Sequence, residues 1–138
     1  MGDVLSGEGF EGEGLRWAYD NGEWCVGIKN YKPQNGIDRL DNLELHEATD
    51  ESFMLLDGHC CLLLRGADGA FQAGMMDRGR LYTVPAGIWH TTVTAPGVKL
   101  ILVERSGTSM ANSRVQELDD SARTAARTAV MEAGFPAQ

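Results

Sequence analysis

Hydrophobic positions along this chain fall into many short runs rather than long periodic stretches. Two of them, residues 15–19 and 23–29, are built on Leu15, Trp17, Tyr19 and on Trp24, Val26, Ile28, and they flank Asp20, Asn21 and Gly22. An Asn-Gly pair between two apolar arms predicts a tight hairpin. Further runs cover 43–47, 52–56, 59–65, 70–75, 81–84, 89–94 and 99–105, separated by Asp57-Gly58, Asp68-Gly69, Arg78-Gly79, Pro85-Ala86-Gly87 and Pro96-Gly97. Short strands with turn residues at this spacing predict an all-β, antiparallel sandwich or barrel. Segment 31–42 is polar, carries Pro33 and Gly36, and predicts a connection across the barrel mouth.

The pattern changes near the end of the chain. Apolar residues recur at Leu118, Ala122, Ala125, Ala126, Ala129, Val130 and Ala133, the stripe of an amphipathic helix. Asp119 or Asp120 can cap its start, and Gly134 with Pro136 can end it. The expected organisation is a loose Gly- and Glu-rich tail over 1–14, a barrel over 15–110 and a C-terminal helical segment over 111–138. The helix is expected on the barrel exterior, with its alanine face against the sheet or a second subunit.

A length of 138 residues fits one domain, and 17 glycines agree with a turn-rich β chain. The net charge of −8 argues against a nucleic-acid partner, which clustered Lys and Arg would have to hold. No apolar run approaches the length of a membrane span and the first residues do not resemble a signal peptide, so a cytoplasmic protein is expected. Cys25, Cys60 and Cys61 do not form a disulfide framework and are expected to be reduced and mostly buried. Cys60 and Cys61 as redox groups or soft-metal ligands is the weaker reading, because neighbouring strand residues point to opposite faces.

Candidate chemistry sits in two segments. In the first, Glu44 and His46 are two apart on one strand and share a face, and Glu51 returns to that face after a turn at Thr49 and Asp50. In the second, Pro85 and Gly87 set a turn from which His90 opens a strand shared with Thr92 and Thr94. Two imidazoles with one or two carboxylates inside a dry barrel are costly to bury unpaired and point to a metal. Glu44 has three open roles: ligand, general base, or hydrogen-bond partner of a neighbour. Core histidines and a surface acid are the bland alternatives for His46, His90 and Glu51, and His59 is expected as an exposed turn residue.

These segments resemble the cupin superfamily, whose first motif reads G-x5-H-x-H-x3/4-E-x6-G and whose second reads G-x5-P-x-G-x2-H-x3-N. Glu44, His46, Glu51 and Gly58 match the spacing of the first, and Gly79, Pro85, Gly87 and His90 that of the second. Glu44 stands where the first His is expected, Asp38 where the opening Gly is, and Thr94 where the closing Asn is. The resemblance implies an antiparallel cupin barrel (a double-stranded β-helix or jelly roll) with one C-terminal helix. It also implies a divalent transition metal, Zn, Fe, Mn or Ni, on His46, Glu51 and His90, with Glu44 beside them.

A cupin fold hosts isomerases, lyases, dioxygenases and binding modules alike, so function must be argued from the site. The first expectation is a metal-dependent enzyme acting on a small carboxylate, keto or sugar-like substrate, with Glu44 moving a proton. The alternative is a non-catalytic small-molecule binding or sensing module. Lys29, Tyr31 and Tyr82 are candidate substrate contacts, with Lys32 near the mouth as a further cation. A homodimer is expected, because an exposed sheet edge is otherwise a liability.

Overall fold

The computed structural model describes residues 4–137. Ten strands run as β1 (Leu15–Asp20), β2 (Trp24–Asn30), β3 (Asn42–His46), β4 (Glu51–Asp57), β5 (Cys60–Arg65), β6 (Phe71–Met75), β7 (Leu81–Val84), β8 (Trp89–Thr94), β9 (Lys99–Arg105) and β10 (Ser113–Glu117), followed by α1 (Asp120–Glu132). They form two antiparallel five-stranded sheets, ordered β1-β2-β9-β4-β7 and β10-β3-β8-β5-β6. This is the expected double-sheet jelly roll with its C-terminal helix.

Alternation along the strands decides which side chains meet. On β4 and β9 the cross-strand pairs Glu51 with Glu104 and Phe53 with Leu102 put these residues in successive rows, followed by Leu55 with Leu100. Phe53, Leu55, Leu100 and Leu102 join Cys60, Met76, Val84 and Val98 in one core cluster between the sheets. The second sheet is also covered on its other face. There Leu43, Cys61, Leu63 and Val93 pack with Ala126 and Val130 of α1 and with Ile37 and Leu40 of the mouth connection. Adjacent Cys60 and Cys61 therefore enter different cores, and all three cysteines are buried and free.

The helix begins where the sequence placed it. Asp119 caps it, accepting a hydrogen bond from the Ala122 amide at 2.8 Å, which satisfies one of the unpaired amides of the first turn. Ala126 and Val130 are fully buried, while most of the other stripe positions are only partly covered. Strand β10 was not expected: Ser113–Glu117 holds one aliphatic residue, Val115, and shows no apolar alternation. Pairing supplies what the pattern lacks, since β10 lies antiparallel on β3 from Ser113 opposite His46 to Glu117 opposite Asn42. Residues 10–14 are also tied down. Asn30 Nδ2 donates to the Phe10 and Gly12 carbonyls at 2.9 and 2.8 Å, and the Asn30 amide donates to Gly14 at 2.9 Å.

Glycine is required by geometry at the β4–β5 and β7–β8 turns. A Cβ on Gly58 would lie 2.7 Å from Val98 Cα, where the β4–β5 turn crosses the β8–β9 turn. Gly87 has φ of 82°, the left-handed region that favours glycine.

Candidate metal centre

The two segments singled out in the sequence are stapled together by backbone bonds. The Gly87 amide donates to the His46 carbonyl at 2.8 Å, and the Ala86 amide donates to Asp50 Oδ1 at 2.9 Å. From the other side the Arg105 amide donates to Thr49 Oγ1 at 2.8 Å. The β3–β4 turn and the β7–β8 turn thus hold each other, and the candidate residues they flank converge between the sheets. His46, Glu51 and His90 each present one donor atom, and these atoms lie within 4.8 Å of one another. All three residues are buried.

Hydrogen-bond polarity shows that this cluster needs a shared proton or a bound cation. His90 Nδ1 sits 2.9 Å from the Ile88 carbonyl oxygen, which can only accept, so Nδ1 carries a proton. In the neutral ring Nε2 is then a lone pair, yet it lies 2.9 Å from Glu51 Oε1. Two acceptors at that distance need a proton or a metal ion between or beside them. Burial pushes the Glu51 carboxyl up, but bonds to His46 and His90 outweigh it and hold the group at about 2. The same carboxylate raises His46 above the usual imidazole range, against the effect of burial. His46 Nε2 lies 3.5 Å from Glu51 Oε1, and its Nδ1 is 2.8 Å from Ser113 Oγ on β10, a contact that orients the ring. Two nitrogens and a carboxylate oxygen held in this way are a borderline donor set suited to first-row divalent ions.

Glu104 completes the surroundings and was not singled out as a site residue. It is buried, its Oε2 lies 4.0 Å from His46 Nε2, and among the described residues that oxygen has no hydrogen-bond partner. Burial, then the negative charge and hydrogen bond of Glu51, push its carboxyl up to about 8. Its signal lay in the alternation of β9: Leu100, Leu102 and Glu104 share the inward face, so a charge ends an apolar row. Ser113 had no such signal, because its strand was not foreseen.

Glu44 pairs with His90 across β3 and β8, and its Oε2 is 3.9 Å from His46 Nε2. Its side chain is about half exposed, 54%, and it stands outside the tight three-residue group. It lines a cavity of about 490 Å³ that also reaches Glu51, His90, Lys29, Lys32 and Asn35. Of the candidate substrate contacts, Lys29 lines this cavity. Tyr31 packs against the inner core cluster. Tyr82 lines a separate groove between β5, β6 and β7, and its hydroxyl accepts from the Asp77 amide at 2.8 Å. His59 is exposed beside its turn.

No protein-family model and no curated protein matches the chain. Solved structures do. A Streptomyces protein, PAC13, determined with uridine, superposes with a TM-score of 0.56 at 11% identity, over 79% of this chain and 83% of its own. Oxalate decarboxylase from Lactobacillus farciminis, in a formate complex, superposes with a TM-score of 0.53 at 20% identity, over 75% of this chain. A Bacillus subtilis oxalate decarboxylase variant gives 0.51 at 14% identity, over 67% of this chain. The chain spans about a quarter to a third of the length of these decarboxylases, 24% and 32%. No helix among the described residues is long and apolar enough to cross a membrane. Sheet topology and structural likeness agree that in fold the chain is a small cupin, with a His-Glu-His cluster that could hold a metal.

Proposed function

We propose that the protein is a metal-dependent enzyme acting on a small polar substrate of the carboxylate, keto or sugar-like kind. The observation that carries this reading is the His90 to Glu51 contact, where a lone pair and a carboxylate oxygen face each other beside a cavity of about 490 Å³. His46, Glu51 and His90 would hold the ion, a divalent transition metal of the Zn, Fe, Mn or Ni group. When bound, such an ion supplies a Lewis acid that polarises a carbonyl or carboxylate oxygen.

The chain's own residues would do the rest. Ser113 and the Ile88 carbonyl fix the two imidazoles through their Nδ1 atoms and leave each Nε2 turned toward Glu51. Glu44, half exposed on the cavity wall, would take or return a proton at its carboxylate, with solvent restoring it. Glu104, held as a neutral acid by burial, keeps a second negative charge off Glu51 while the site is metal-free. Lys29 is the proposed substrate contact, as the one of the three candidates on the cavity wall.

Metal analysis of protein purified without chelator, followed by a turnover screen of keto acids, hydroxy acids and sugars, tests the proposal. About one divalent transition metal per chain and turnover of one class are expected. A stoichiometric metal with saturable ligand binding and no turnover would favour a non-catalytic binding module. Absence of metal would overturn the reading.

A further inference from the structure

Lys29 is an unusual residue for the interior of a sandwich. On β2 it follows Cys25 and Gly27 on the face that pairs with Glu104, Leu102 and Leu100 of β9, so it points between the sheets. Its ammonium donates to Thr92 Oγ1 of the opposite sheet at 3.0 Å, and Thr92 is itself buried. A hydroxyl is a neutral partner and leaves two of the three ammonium protons unassigned. Among the described residues Lys29 makes no ion pair, and neither does Lys32, which lines the same cavity. Arg39, a third cation on that wall, is already spent on Asp41 at 2.7 and 3.0 Å. Glu44 and Glu51 lie on the same cavity wall and favour the charged amine from a distance, but neither forms an ion pair with it. A buried cation without an ion pair is costly, and one that opens on a cavity is offered to a ligand.

We propose that Lys29 is the anion subsite of the cavity and that the ligand is a short carboxylic acid with a hydroxyl or oxo oxygen at its other end. The metal-centre reading is needed only for that second end. Thr92 lies two residues after His90 on β8, an advance of ~7 Å along the strand, which roughly three to five carbons can bridge. The carboxylate would accept the free ammonium protons in a charge-assisted bond, with Lys32 adding to the positive field. Burial, and then the nearby Lys32, hold the Lys29 amine below the ordinary lysine range, against the opposing pull of Glu51 and Glu44. The side chain is thus placed for binding at a cost to the stability of the free protein.

Calorimetry with two probes tests this, succinate on chelated protein and malate on metal-loaded protein. Both should bind the natural chain, and Lys29→Met should weaken each by about 10- to 150-fold while leaving metal content unchanged. The same variant should raise the melting temperature of the ligand-free chain, because it removes a buried amine that has no ion pair and keeps the apolar stem. Lys29→Gln is the second variant should Lys29→Met fail to fold. Failure of the natural chain to bind succinate, equal binding by the variant, equal binding of dimethyl succinate, tighter binding of inorganic phosphate, or a lowered melting temperature would each overturn the assignment. A chain that lacks metal yet binds succinate through Lys29 would overturn the enzyme proposal and leave this one standing.

Discussion

Along the paired strands β4 and β9, one row of inward residues is Glu51 with Glu104, and the next two are Phe53 with Leu102 and Leu55 with Leu100. The backbone pairing is the same in all three rows, and the environments are opposite. The apolar rows bury leucines whose exposure is 0–3%, and every neighbour can fill space without regard to charge. In the acidic row two carboxyls share one enclosure, and the outcome depends on partners. Glu51 finds two imidazoles and is held at about 2, whereas Glu104 finds Glu51 and is pushed up to about 8. The difference teaches where stability and chemistry divide in this fold: the apolar rows hold the sheets together, and the acidic row gathers titratable groups whose state depends on their partners.

The largest effect is expected from the apolar side. Leu100 is fully buried in the inner core, and Leu100→Ala should destabilise the chain by about 2–5 kcal/mol in urea denaturation. A loss below 1 kcal/mol would show that the inner core does not carry the fold. From the acidic side, a divalent metal at about a thousand times its dissociation constant should add about 4 kcal/mol of stability. Thermal melts with and without chelator check this, and His90→Ala should abolish the gain.

Ser113→Ala removes the contact that orients His46 while leaving the ligand set intact. Metal affinity should fall about 10- to 100-fold, with little change in the stability of the metal-free chain. Competition with a metallochromic chelator reads this directly. A further effect concerns pH. Glu104 is raised from 4.5 to about 8, so its contribution to stability is fully present below 4.5 and is lost as pH rises through about 8. Chelated protein should therefore lose stability over that window, and Glu104→Gln should flatten the slope. An unchanged slope in the variant would assign the pH dependence to other groups.

The sequence made the fold legible wherever alternation and turn chemistry acted together. All the strands up to β9 carry apolar or β-branched runs bounded by Gly, Pro, Asn or Asp, and the helix carries its cap and its stripe. Strand β10 carries neither signal, because it is specified by its partner β3 rather than by its own side chains. Ser113, the support of His46, was hidden with it. The three-residue cluster was legible because the spacing within each segment gave its members a shared face and the cupin resemblance brought the two segments together. Glu104 was harder to see, since a lone acid at the end of an apolar row gains meaning only when register sets Glu51 opposite it. The seating of residues 10–14 depends on the Asn30 side chain, which no local pattern announces.

The bond from the Gly87 amide to the His46 carbonyl bears on how the protein would be loaded inside a cell. It and its neighbours at Asp50 and Thr49 belong to the polypeptide alone, so His46, Glu51 and His90 would keep their spacing before any ion arrived. A site assembled in advance exchanges its ion without unfolding, and its occupant then follows the local supply as well as intrinsic preference among divalent ions. Protein made in media enriched in different metals should carry different metals on one unchanged scaffold, and the ion recovered on purification would record the growth conditions before it identified the working cofactor.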